Sequence, residues 1–168
     1  MRHGSAMVIL ALALAACAST PPPPGGPPLP IEQEAITYRT SRCFGACPVY
    51  SVTVRPDGSG TFVGEQFTAA TGTRTLAITP DQYRRFAAAL APYRPAQGDV
   101  AYRPGQPNCE PAATDMPGVE VTWSSNTGAA DQHLFYYFGC RMEENRAMAD
   151  ALRRAPEALP LAPLIGSH

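Results

Sequence analysis

The sequence has no lysine: all 13 of its basic residues are arginine, set against 14 acidic ones for a net charge of −1. Those arginines are scattered, with only the pairs Arg84/Arg85 and Arg153/Arg154 adjacent. Without a basic stripe or patch there is no electrostatic footprint for nucleic acid, and that partner is excluded. No apolar run reaches the about 20 residues that a membrane-spanning helix needs. No repeat recurs at the roughly 20–50-residue periods of solenoids and propellers. A G-x-S-x-G nucleophile elbow is missing too, which removes the usual sequence sign of a serine hydrolase.

What the chain does have begins with "MRHGSAMVILALALAACAST". Arg2 followed by the short apolar stretch 6–16 reads as an export signal, to be set aside in reasoning about the fold. "LAAC", residues 14–17, resembles the lipobox of bacterial lipoproteins. That resemblance implies cleavage before Cys17, diacylation of Cys17, and Cys17 as the mature N-terminus; ordinary signal cleavage near "ACAST" is the alternative. Several acyl chains on one residue hold a protein to a membrane where a single chain is marginal. Ala18, not Asp, follows the cysteine. In the Gram-negative lipoproteins that this segment resembles, that implies the outer membrane. "ASTPPPPGGPPLP" is then a stiff tether, extended at about 3.1 Å per residue and so roughly 40 Å long. The expected organisation is a signal peptide over 1–16, lipidated Cys17 and a Pro-rich linker over 17–33, a single domain over 34–160 and a tail over 161–168. The body would sit in the cell envelope, anchored to the outer membrane through Cys17 and facing the periplasm, with surface exposure as the alternative.

Within the domain, "EAITYRT" and "VYSVTVR" alternate apolar and polar residues with the period of half-buried strands. "PDGSG" is turn chemistry, and "TFVGEQF" returns as the second arm of a hairpin, with "GTRTLAI" extending the meander. The period then changes. In "TPDQYRRFAAALAPY", Thr79 is an N-cap, Pro80 suits the first helical position and Gln82 completes a capping box. Residues 92–117 are proline-rich without clear period and contain Cys109. A loop that long inside a domain is usually functional or tied down. "VEVTWSS" and "QHLFYYF" read as a second strand pair, and "RMEENRAMADALRRAPEAL" as the last helix. Strand groups each followed by a helix predict an α+β fold: an antiparallel sheet of about five strands with two helices packed on one face.

"CFGACPVYSVTVRPDGSGTF", with "TDMP" at 114–117 and "YFGC" at 137–140, resembles a family of bacterial secreted or lipid-anchored domains of unknown function. Its hallmark is Cys-Phe-Gly-x-Cys-Pro-x-Tyr leading into a strand, an Asp-Gly turn and a second strand. The resemblance covers residues 35–155. It implies no activity, so it assigns no catalytic residue.

The chemistry therefore rests on the cysteines. Apart from Cys17, the exported domain has Cys43, Cys47, Cys109 and Cys140. An even number in an oxidising compartment favours disulfides. If the chain reverses around 126–130, Cys140 returns beside the segment that carries Cys109, while Cys43 and Cys47 share one corner. Cys43–Cys47 and Cys109–Cys140 are the favoured pairs, with a crossed connectivity open. A four-cysteine zinc site lacks the usual two closely spaced pairs. Cys-x-x-x-Cys-Pro also resembles the motif of the thioredoxin-like copper chaperones of respiratory oxidase assembly. That likeness implies Cys43, Cys47 and His133 as a copper set, two thiolates and an imidazole. In that fold the motif opens a helix, whereas "PVYSVTVRPDG" alternates as a strand. His133 otherwise reads as a partly buried structural histidine, His168 as a terminal one, and Asp115 as a turn-former. Glu143 and Glu144 read as helix-start acids, and Trp123, Tyr136 and Tyr137 as core. The expected function is a non-enzymatic accessory or binding domain, without cofactor, that contacts an envelope protein or cell-wall component. The alternative is a thiol-redox or copper-binding envelope protein using Cys43, Cys47 and His133.

Overall fold

Residues 34–140 and 143–166 are described by a computed structural model. The expected signal peptide, Cys17, the Pro-rich linker and His168 lie outside the described residues.

Period-two alternation builds the sheet. In β1 (Glu34–Thr40) Ile36 and Tyr38 are buried, and in β2 (Val49–Val54) so are Tyr50, Val52 and Val54. The Asp57–Gly58 turn, with Gly58 at φ 87°, leads into β3 (Ser59–Gln66), and β4 (Gly72–Ala77) forms the outer strand. The chain then crosses as α1 (Pro80–Leu90) and adds β5 (Asp99–Tyr102), β6 (Gly118–Ser125) and β7 (Gln132–Tyr137). The sheet order is β4-β3-β2-β1-β6-β7-β5. Five of the six pairings are antiparallel; β5 runs parallel to β7.

The fold is α+β, but the sheet has seven strands and is mixed, where about five antiparallel strands were expected. The strand hidden from the sequence is β5. "DVAY" is too short to show a period, and it is defined by its ladder to β7 and by Asn108, whose side-chain amide donates to the Ala101 carbonyl.

Helix α1 starts as its sequence predicts. The Thr79 side chain accepts from the Gln82 backbone and the Gln82 side chain from the Thr79 backbone. Tyr83, Phe86, Ala87 and Leu90 form its buried stripe. The last predicted helix is shorter than "RMEENRAMADALRRAPEAL" suggested: α2 covers Arg146–Arg154, between 3₁₀ turns at Glu143–Asn145 and Ala155–Ala158. Pro156 supplies the reason. It has no N–H to offer the Leu152 carbonyl four residues back. The Tyr38 hydroxyl donates to that freed carbonyl instead, at 2.9 Å. Burial, helped by the neighbouring Tyr50, holds the Tyr38 phenol well above its usual pKa, so it stays a donor. A third helix, α3 (Ala162–Ile165), makes three where two were expected. It follows buried Leu161, and the Leu164 and Ile165 carbonyls accept from Ala70 and Ala69 in the β3–β4 loop.

Both longer helices cover one face of the sheet. Tyr38 meets Phe86 of α1 edge-on at 6.3 Å and Leu152 of α2 through its hydroxyl. Phe62, Leu90, Val121, Leu134 and Tyr136 complete this core. Among the described residues no helix covers the opposite face, which carries Thr37, Arg39, Thr53, Glu65, Glu120, Thr122, His133 and Phe135 at the alternate positions.

Candidate functional site

The connection between β1 and β2 is a knuckle closed on itself. Cys43 and Cys47 lie at disulfide distance, their Cα atoms 5.8 Å apart, and both are half-buried. Between them Phe44, Gly45 and Ala46 stand exposed, Phe44 at 87%. Gly45 has φ 137°, a conformation that residues with a Cβ avoid. The base is held by Thr40, whose hydroxyl donates to the Pro48 carbonyl at 2.8 Å and accepts from the Tyr50 N–H at 3.0 Å. Tyr50 is buried, stacked on Phe62 at 5.5 Å, and burial pushes its phenol far above the usual range.

A second segment buttresses the knuckle. Asp115 adopts φ 65°, and its carbonyl accepts from the Phe44 N–H at 3.1 Å. The next N–H, of Met116, donates to the Tyr137 hydroxyl at 3.0 Å. Ser41 and Gly118 exchange two bonds, Ser41 N–H to the Gly118 carbonyl and Gly118 N–H to Ser41 Oγ. A Cβ at Gly118 would stand 2.7 Å from the Phe135 ring, so a larger residue there would have to displace that ring. Asp115 thus sits at a bend, where its backbone carbonyl is the bonding group.

Strand order gathers more at this end. Gln66 at the end of β3 pairs with Val49 at the start of β2, which places Phe67 beside the knuckle. Met116 stands two residues before β6. Phe44, Phe67 and Met116 are three of the four large apolar side chains that stand exposed among the described residues. By strand order they fall at the same end of the sheet, along a rim from β3 to β6 about 14 Å wide at about 4.8 Å per strand. Sequence reasoning quoted Phe44 and Met116 within motifs but did not bring the three together. The available signal was an aromatic residue between two cysteines, where burial cannot reach it.

Beneath the rim, the open sheet face carries a shallow cavity of about 320 Å³, lined by Arg39, Ser41, Arg42, Val49, Glu65 and Phe135 among others. Arg39 is paired with Glu65 at 2.8 Å, and Glu120 stands opposite Arg39 in the ladder. A second cavity of about 260 Å³ shares Glu120 and Phe135 and adds Asp99, Arg103 and His133. The Arg103 guanidinium sits 3.7 Å over the Phe135 ring.

His133 belongs to this second cavity. Its Nδ1 shares a hydrogen bond with Thr122 Oγ1 at 3.0 Å, and its Nε2 lies 4.0 Å from Asp99. It stands four residues along β7 from Tyr137, the residue at the knuckle end. At about 3.3 Å per residue that is about 13 Å. Cys43 and Cys47 come together and His133 does not join them. Among the described residues, no group of three or more His, Cys, Asp or Glu side chains is placed to hold a metal ion.

Cys109 and Cys140, also at disulfide distance with Cα atoms 4.5 Å apart, are set differently. They are 0% and 6% exposed. Ala112 bridges to Cys140, Ala113 donates to the Gly139 carbonyl at 2.8 Å, and the Tyr136 hydroxyl donates to the Cys140 carbonyl at 3.0 Å. Trp123 and Tyr136 are core residues; Tyr137, expected there too, is half-buried instead because it alternates with Tyr136 along β7, and it accepts from Met116; Glu143 pairs with Arg146.

No curated protein and no solved structure matches the chain. A family model does match, over residues 34–156, from the first residue of β1 to the turn after α2. The chain therefore belongs to the family described as domain of unknown function DUF6438.

Proposed function

We propose that this protein is an envelope lipoprotein, held at the outer membrane through Cys17 and facing the periplasm, whose domain is a non-enzymatic binding module. The observation that carries the reading is Phe44, an aromatic side chain 87% exposed on a closed and braced loop. An ordered aromatic in water costs little further ordering when it enters a partner's pocket, which is how contact anchors work. The chain enters β1 at Glu34, and the rim lies beyond the other end of that seven-residue strand. The rim is thus about 20 Å from the entry point. The occupant is a protein partner with an apolar socket for Phe44 and an acidic group for exposed Arg42.

The test is a photo-crosslinking residue placed at Phe44, at Met116, or at Asn126 on the opposite end, in cells that make the full chain. One adduct of defined mass from positions 44 and 116, absent from 126 and lost in Arg42→Glu, supports the module. No adduct, or the same adducts from all three, overturns it. Anchoring is checked separately: Cys17→Ser should move the protein out of the membrane fraction, and retention there would remove the anchor. The second reading, thiol or copper chemistry at Cys43 and Cys47, is favoured by the half-buried setting of that pair. Stoichiometric copper lost on Cys43→Ser would establish it.

A further inference from the structure

We propose that Cys43–Cys47 is a thiol–disulfide exchange site, opened by a dithiol reductant in the folded protein while Cys109–Cys140 stays closed. Exchange needs a thiolate to reach a sulfur in line with the bond. Around Cys43–Cys47 the intervening residues Phe44, Gly45 and Ala46 are all exposed, and the preceding Arg42 is an exposed cation. Arg42 has no ion pair among the described residues, so its charge is available to an incoming thiolate and to the cysteine thiolate that leaves. Around Cys109–Cys140 the core closes, with both residues buried and the backbone on either side tied by the Ala112–Cys140 bridge and the Ala113–Gly139 bond.

The mechanics of opening differ as well. The knuckle spans four positions and contributes no buried side chain between its cysteines. Its base is held independently by Thr40 and by the Ser41–Gly118 pair. Releasing the bond frees only the loop tip. Opening Cys109–Cys140 would instead require the core around Tyr136 to part.

In the reaction, one reductant thiolate attacks a sulfur of the pair, the Cys43–Cys47 bond breaks and a mixed disulfide forms. The second cysteine leaves as a thiolate and takes a proton. The reductant's other thiolate then displaces the mixed disulfide, and the first cysteine takes a proton in turn. Two electrons and two protons pass to the protein, and the reductant departs as its own disulfide. Reduction leaves the Phe44 N–H held only by its bond to Asp115, so the fixed tip of the rim is loosened. That consequence rests on the rim being a contact surface; the exchange itself does not.

The experiment uses the oxidised, purified chain titrated with dithiothreitol under native conditions, trapped by alkylation and mapped by peptide mass. Cys43 and Cys47 should be alkylated at a reductant concentration at least ~10-fold below that needed for Cys109 and Cys140. The near-UV signal of buried Trp123 should be unchanged at that point. Arg42→Glu should slow opening of Cys43–Cys47 several-fold and leave Cys109–Cys140 unaffected. Simultaneous reduction of both pairs, earlier reduction of Cys109–Cys140, or loss of the Trp123 signal as Cys43–Cys47 opens would overturn the proposal. Because the readout is alkylation, it fails or succeeds independently of any crosslink at Phe44.

Discussion

Two pairs of the same residue stand in opposite settings in this domain. Cys109 and Cys140 join the long 92–117 segment to the turn after β7, inside the core and across 31 positions. Cys43 and Cys47 join positions four apart at the surface. Chain entropy alone makes the first worth roughly 3.5 kcal/mol and the second roughly 2. The larger difference lies in what surrounds each bond. One is enclosed by side chains that cannot move separately, and the other by three exposed residues. A crosslink becomes a staple or an accessible group according to the burial around it.

The sharpest way to break this comparison is to remove each pair. Cys109→Ala with Cys140→Ala should lower unfolding free energy by about 3.5 kcal/mol or more, and Cys43→Ala with Cys47→Ala by about 2 or less. Urea melts monitored by Trp123 fluorescence measure both, and equal losses would dissolve the distinction. A smaller effect tests the braced side. Tyr38→Phe leaves the Leu152 carbonyl without its donor and should cost about 1–2 kcal/mol in the same melts. At the surface the expectation reverses: Phe44→Ala should change stability by less than about 0.5 kcal/mol. A large loss there would mean that Phe44 packs rather than waits for a partner.

The smallest effect serves as a control at the far end of the sheet. The Asp57 carboxylate accepts from the Ser59 hydroxyl and N–H, and these bonds hold its pKa below the usual carboxylate value. A carboxyl whose pKa falls on folding stabilises the fold above its unfolded value of about 3.9 and loses that contribution as pH drops through the folded one. Ser59→Ala should raise the Asp57 midpoint in an NMR titration without shifting the Phe44 resonances. An unmoved midpoint would show that the hydroxyl is not the cause.

Much of this architecture was legible where the information is local. The Thr79–Gln82 box announced α1, and alternation announced the strands from β1 to β4 and the β6–β7 pair. The hairpin reversal near Asn126 brought Cys140 back toward Cys109, the neighbourhood now marked by the Ala112–Cys140 bridge. What escaped depends on contacts between distant segments. Asp99–Tyr102 is a strand because β7 offers it a ladder, and nothing in four residues says so. Pro156 was plainly in view, yet the role of the carbonyl it frees depends on Tyr38, more than a hundred residues earlier. The rim was invisible for the same reason: Phe44, Phe67 and Met116 fall at one end of the sheet only once the order β3-β2-β1-β6 is known.

That order also decides how the domain bears a load. β1 is the fourth of seven strands, bonded along its length to β2 on one side and β6 on the other. Its first residue, Glu34, is gripped by Arg94 through both carboxylate oxygens and by the Tyr83 hydroxyl through its carbonyl. A pull on the chain ahead of Glu34 therefore runs along the central strand and strains two ladders in shear, all rungs at once, instead of peeling an edge one rung at a time.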